Sequence, residues 1–97
     1  MITISLLQVV GSFAENKDLA RKILIEQIIP ALDHKEEVIL NFEGVDSTTQ
    51  SFIHALISDL IRNYGAEEVL DKISFQACND TVREIIGIVT DYMQERD

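Results

Sequence analysis

The stretch 38–60, VILNFEGVDSTTQSFIHALISDL, constrains the fold more than any other part of the chain. Val38, Ile39, Leu40 and Phe42 make a near-continuous apolar run of strand length, the pattern of a strand buried on both faces. Glu43 and Gly44 start a turn. Phe52, Ile53, Leu56, Ile57, Leu60 and Ile61 then recur at helical spacing as one wide apolar face. A strand that turns directly into an amphipathic helix opens a parallel β/α unit, whose helix must cover the sheet. Hydroxyls crowd the junction at Ser47, Thr48, Thr49 and Ser51. A helix start has unpaired N–H groups and the positive end of the dipole, so it takes a capping side chain or an anion.

The flanking segments repeat the alternation of strand and helix. Residues 1–10 read as a strand, with Ile2, Ile4 and Leu6 alternating with Thr3 and Ser5. The phase slips at Leu7, Val9 and Val10, which predicts a bulge or a second short strand, a candidate for an antiparallel fourth strand. The first main helix is expected over 17–29, capped by Asn16 and buried through Leu19, Ala20, Ile23, Leu24 and Ile28. Pro30 should end or kink it. Gly65 suits the position just past the second helix. Residues 72–78 read as the third clear strand, with Ile73, Phe75 and Ala77 on one face. Asn79 or Asp80 caps the last helix, whose stripe is Val82, Ile85, Ile86, Val89, Tyr92 and Met93. The expected class is α/β: a small sandwich in β-α-β-α-β-α order, with a mostly parallel or mixed sheet of about four strands and three main helices packed on it. The 97 residues give one domain, 1–97.

Several chemistries are disfavoured. The four glycines are scattered, with no phosphate-cradling loop. His34 and His54 are isolated, and no cysteine–histidine spacing suggests a metal. Ser51, His54 and Asp59 on one helix have poor geometry for a nucleophilic triad. No catalytic residue, metal or cofactor is expected. The single cysteine, Cys78, rules out an internal disulfide and fits a reducing compartment; it reads as a small buried residue. Tyr64 and Tyr92 are expected at the edge of the core. The apolar runs are short and no signal peptide is evident, so a cytoplasmic protein without a membrane contact is expected. The formal charge of −9 opposes nucleic acid and anionic membrane and favours a basic partner.

The segment LNFEGVDSTTQSFIHAL, 40–56, resembles the STAS-like domains of unknown function, small bacterial and phage-borne proteins related to the STAS domain of anti-sigma-factor antagonists. The resembling features are the apolar strand, the turn Phe42, Glu43, Gly44, Val45, and the helix opening Thr49, Gln50, Ser51, Phe52. A weaker likeness continues through Asn79, Val82, Ile85 and Ile86. In the antagonists an Asp-Ser-Ser-Gly-type stretch occupies this junction, and a kinase-type anti-sigma factor phosphorylates its serine. Aligned from the helix backwards, Thr49 stands for the aspartate, Gln50 for the first serine, Ser51 for the second and Phe52 for the glycine. The usual acceptor position is thus held by Gln50.

The resemblance implies a non-catalytic regulatory protein-interaction module whose partner is a regulatory protein such as a histidine-kinase-like ATPase. Its expected contact surface is the junction, Asp46, Ser47, Thr48, Thr49, Gln50 and Ser51, which also holds the candidates for phosphorylation. The wet side of the following helix, His54, Ser58, Asp59 and Arg62, extends that surface. The alternatives are a small-ligand or nucleotide sensor using the same helix N-terminus, and a homo-oligomeric assembly subunit such as a homodimer.

Overall fold

Three parallel strands carry the helices, and the middle one is the strand that leads into the junction. In the computed structural model, which describes residues 1–94, β1 (Ile2–Ser5), β3 (Val38–Asn41) and β5 (Ile73–Gln76) form a sheet in the order β1-β3-β5. Ile2 lies opposite Val38 and Val38 opposite Ile73; Ile4, Leu40 and Phe75 line up in the same way. This register places Ile2, Ile4, Val38, Leu40, Ile73 and Phe75 on one face. Ile4, Val38, Leu40 and Ile73 are buried in it, and Ile2 and Phe75 pack against them. The opposite face carries Thr3, Ser5, Ile39, Asn41, Ser74 and Gln76, and none of these is fully buried. The apolar run of β3 is therefore covered on one face, not on two as its composition suggests.

The sheet also has fewer strands than expected. The residues where the strand phase slips form a short helix, α1 (Leu6–Val10), instead of a bulge or an extra strand. Leu6 points into the core, while Leu7 and Val9 stay exposed. The next extended piece is β2 (Phe13–Ala14), which pairs parallel with β4 (Ser47–Thr48) in a separate two-stranded sheet. An apolar phase shift can be met by curling into a helical turn as well as by bulging a strand, and here the turn buries Leu6 completely.

The first main helix passes its proline. α2 (Lys17–Ile23) is capped by Asn16, whose side chain accepts from the N–H groups of Asp18 and Leu19. It widens into a π turn at Leu24–Ile28 and continues as α3 (Ile29–Asp33) with Pro30 in the first turn. A proline inside a regular α-helix lacks its N–H and clashes with the carbonyl four residues back. The π turn moves that carbonyl, so the chain stays helical through Ile28 and buries it.

α4 (Gln50–Tyr64) packs against both α2 and α6 (Asp80–Gln94). Phe52, Ile53, Leu56, Ile57, Leu60 and Ile61 are all buried, as their spacing predicts. Gly65 has φ 90° and separates α4 from α5 (Ala66–Lys72). In α6, Val82, Ile86 and Val89 are buried, and Asn79 supplies the cap by accepting from the Val82 N–H at 2.8 Å. Ala77 lies outside β5 with φ 58°, so it does not continue the buried face of the strand. The two tyrosines do not edge the core: Tyr64 is 46% exposed and Tyr92 68%. No described helix is long and apolar enough to cross a membrane.

Candidate functional site

The junction is built by backbone ties from the N-terminal segment. The Asp46 and Ser47 N–H groups donate to the Ser12 carbonyl at 2.7 and 3.3 Å. The Ala14 carbonyl accepts from the Thr49 N–H at 3.1 Å and from Thr48 Oγ1 at 2.8 Å. Before it, the Glu43 N–H donates to Asn41 Oδ1, and Gly44 turns the chain at φ 84°. A Cβ on Gly44 would lie 2.6 Å from a Leu7 methyl, so α1 and this turn sit against each other.

These ties sort the junction hydroxyls by role. Thr48 is buried and spends its hydroxyl on Ala14. Thr49 is the N-cap of α4 and accepts from the Phe52 N–H at 3.1 Å. Ser47 is half-buried, and Asp46 is exposed on the turn. Gln50 and Ser51, in the first turn of α4, are both exposed.

From Gln50 onward the outward side of α4 lines a groove. Gln50, Ser51, His54, Ala55, Ser58, Asp59 and Arg62 repeat at helical spacing as its floor. Lys17 and Arg21 of α2 form one wall; Ile88, Val89 and Tyr92 of α6 form the other. The groove measures about 620 Å³. Asp59 pairs with Arg62 at 2.9 Å and lies 3.9 Å from Arg21, joining floor to wall.

All four residues expected on the wet side of α4 line this groove together with Gln50 and Ser51. Asp46, Ser47, Thr48 and Thr49 do not. Two expected contact positions, Thr48 and Ser58, are buried and not open surface, Thr48 under its tie to Ala14 and Ser58, 6% exposed, at the bottom of the groove; His54 is half-buried. The sequence reading missed both walls. Lys17 and Arg21 stand one turn apart, as do Ile88 and Tyr92, outside the core stripes of their helices. The spacing of the basic pair was legible, but Tyr92 reads as part of the core stripe of α6 and is exposed instead, and nothing local says that the two walls face the same floor.

Two other features lie apart. A cavity of about 240 Å³ lined by Leu32, Lys35, Glu36, Tyr64, Glu68, Val69 and Lys72 sits near the starts of β3 and β5. Cys78 is half-buried, and burial pushes its thiol pKa up against the smaller opposing pull of Arg83. Among the described residues no group of His, Cys, Asp and Glu is arranged to hold a metal ion.

A family model described as a STAS-like domain of unknown function matches residues 20–83, well over half of the chain. The match runs from within α2 through the junction and α4 to the first turn of α6. Comparisons with curated proteins and with solved structures found no match.

Proposed function

The chain belongs to the STAS-like domain family of unknown function, and from that premise we propose that it is a non-catalytic regulatory module that binds a partner protein. The contact surface is the junction 46–51, apart from the buried Thr48, together with the outward side of α4. The observation that carries this reading is the open groove into which Gln50, Ser51, His54, Ser58, Asp59 and Arg62 converge. Its two walls come from helices packed on α4, so the surface is rigid and pre-formed, which lowers the ordering cost of binding. The partner class suggested by the resemblance to anti-sigma-factor antagonists is a histidine-kinase-like ATPase. Ser51 contacts that partner unmodified, because Gln50 holds the usual acceptor position.

A second reading is favoured by the cations of the groove: Lys17, Arg21 and Arg62 would also suit a small anionic ligand or nucleotide. Affinity capture from the native host, with wild type and with Ser51→Trp, tests the first reading. Ser51 is exposed, so the indole fills the groove mouth without entering the core. A protein retained by wild type and lost by Ser51→Trp supports the interaction module. ATP binding without any retained protein supports the sensor.

A further inference from the structure

We propose that the groove between α2, α4 and α6 receives an acidic, amphipathic segment of the partner, with carboxylates against Lys17, Arg21 and Arg62 and apolar side chains against Ile88, Val89 and Tyr92. This rests on the reading of the chain as an interaction module and names the chemistry of the partner.

Charge is the first argument. The chain carries −9 overall, yet this groove is lined by three cations and one carboxylate, Asp59. That carboxylate accepts a hydrogen bond from one nitrogen of Arg62 at 2.9 Å and lies 3.9 Å from Arg21, beyond hydrogen-bond distance. An arginine has five N–H donors, so each keeps a fork of donors for a second carboxylate. The two side chains are 60% and 63% exposed, so those donors remain reachable. The hydrogen bond to Asp59 restricts Arg62 beforehand, which reduces the entropy lost when an acid binds there.

The opposite wall is the second argument. Ile88 is 43% and Tyr92 68% exposed, and they stand one helical turn apart. Apolar area on one wall and cations on the other match a segment with one apolar and one acidic face, the helix-in-groove mode of recognition. Length decides between a segment and a small anion. The floor from Gln50 to Arg62 runs about 18 Å at the α-helical rise, enough for roughly three turns of a docked helix and far more than one phosphate needs. The basic partner favoured by total charge would meet the wrong sign here, since screening confines each charge to about 8 Å at physiological ionic strength.

Fluorescence anisotropy with a labelled amphipathic peptide, glutamates on one helical face and leucines on the other, tests the proposal. The comparison peptide has lysine in place of each glutamate. Saturable binding of the acidic peptide is expected, about tenfold weaker in the double variant Arg21→Gln/Arg62→Gln and weaker again in Tyr92→Ala, with the lysine peptide unbound. Circular dichroism of each variant verifies the fold, and the neutral glutamines avoid crowding Asp59 with new carboxylates. Absent saturable binding, equal affinity in the double variant, or preference for the lysine peptide would each overturn the proposal. So would full displacement by inorganic phosphate, which assigns the groove to a small anion. Self-association abolished by the same variants would assign it to a second copy of the chain. If a host protein is retained by wild type and by the glutamine double variant but lost by Ser51→Trp, the acidic segment is wrong while the interaction module stands. If phosphate binds and no protein is retained, both readings fall.

Discussion

Asn79 Nδ2 donates to the carbonyl oxygen of Asp46 at 2.9 Å, while Asn79 Oδ1 accepts from the Val82 N–H at 2.8 Å. One side chain thus caps α6 and holds the turn that precedes α4. The junction and the α6 wall of the groove are fixed relative to each other through it. Asn79→Ala removes a helix cap and a hydrogen bond together, with an expected cost of about 1.5–3 kcal/mol. Asn79→Asp keeps the cap acceptor and loses only the donor, placing a carboxylate near the Asp46 carbonyl. Its expected cost is smaller, about 1 kcal/mol. Urea denaturation of the three proteins measures both; no loss in Asn79→Asp would mean that the bond to Asp46 contributes nothing, and equal losses would mean that the cap contributes nothing.

Phe42 and Phe52 flank the junction, and both are fully buried. Phe42 also packs at a tilt against Phe75, with ring centroids 6.4 Å apart. Truncating either to alanine should destabilise the fold by about 3–5 kcal/mol through lost transfer energy and the cavity left behind. Denaturant midpoints equal to that of wild type would contradict the packing described here.

The reach of sequence pattern is clear at these residues. Phe42 and Phe52 were legible because burial follows the local period of strand and helix. The cap at Asn79 was legible because capping chemistry is local. Its second bond, to Asp46, joins positions 33 residues apart, and no local pattern encodes it. The same limit hid the helical turn at Leu6. The next residue, Leu7, lies against the turn at Gly44, far along the sequence, so by local pattern a strand and a helical turn fit residues 5–10 equally well. The junction hydroxyls were found as a cluster, but their roles were not. Only the placement of Ala14 shows that Thr48 is a buried tie and Ser51 a surface group.

Thr48→Val tests that sorting. Valine matches the shape of threonine and removes the Oγ1–H that reaches Ala14. The Ala14 carbonyl keeps the Thr49 N–H as a donor, so no buried acceptor is orphaned. The expected loss is at the low end for a hydrogen bond, about 0.5–1 kcal/mol by thermal or urea unfolding. A loss several times larger would mean that β2 detaches from β4 when the hydroxyl is gone.

Cys78 should react slowly. Burial raises its thiol pKa above the ordinary value, and Arg83 offsets this only in part. Since the thiolate is the nucleophile, a raised pKa lowers the reactive fraction at any given pH below it. Alkylation by iodoacetamide at mildly alkaline pH should therefore lag behind that of a cysteine-containing peptide, and should accelerate only as pH rises past the ordinary thiol range. A rate equal to or above that of the peptide would show an activated thiol and reopen a chemical role for this residue.

Ser51 distinguishes a contact from a modification site. It is exposed in the first turn of α4 and lines the groove. A negative charge there is stabilised by the helix dipole by about 0.3–1 kcal/mol, so Ser51→Asp should fold at least as stably as wild type. Its effect on binding has the opposite sign if the partner segment is acidic, because the new carboxylate stands beside the path of that segment. Ser51→Ala removes one hydroxyl and no charge, and should change affinity for the acidic peptide by no more than a small factor. Ser51→Asp should weaken it by about fivefold at low salt, with the penalty shrinking as ionic strength screens the repulsion. Calorimetric titration of both variants at two salt concentrations reads the difference. Wild-type affinity for both would place Ser51 outside the contact, and tighter binding by Ser51→Asp would contradict a path for the acidic segment beside Ser51.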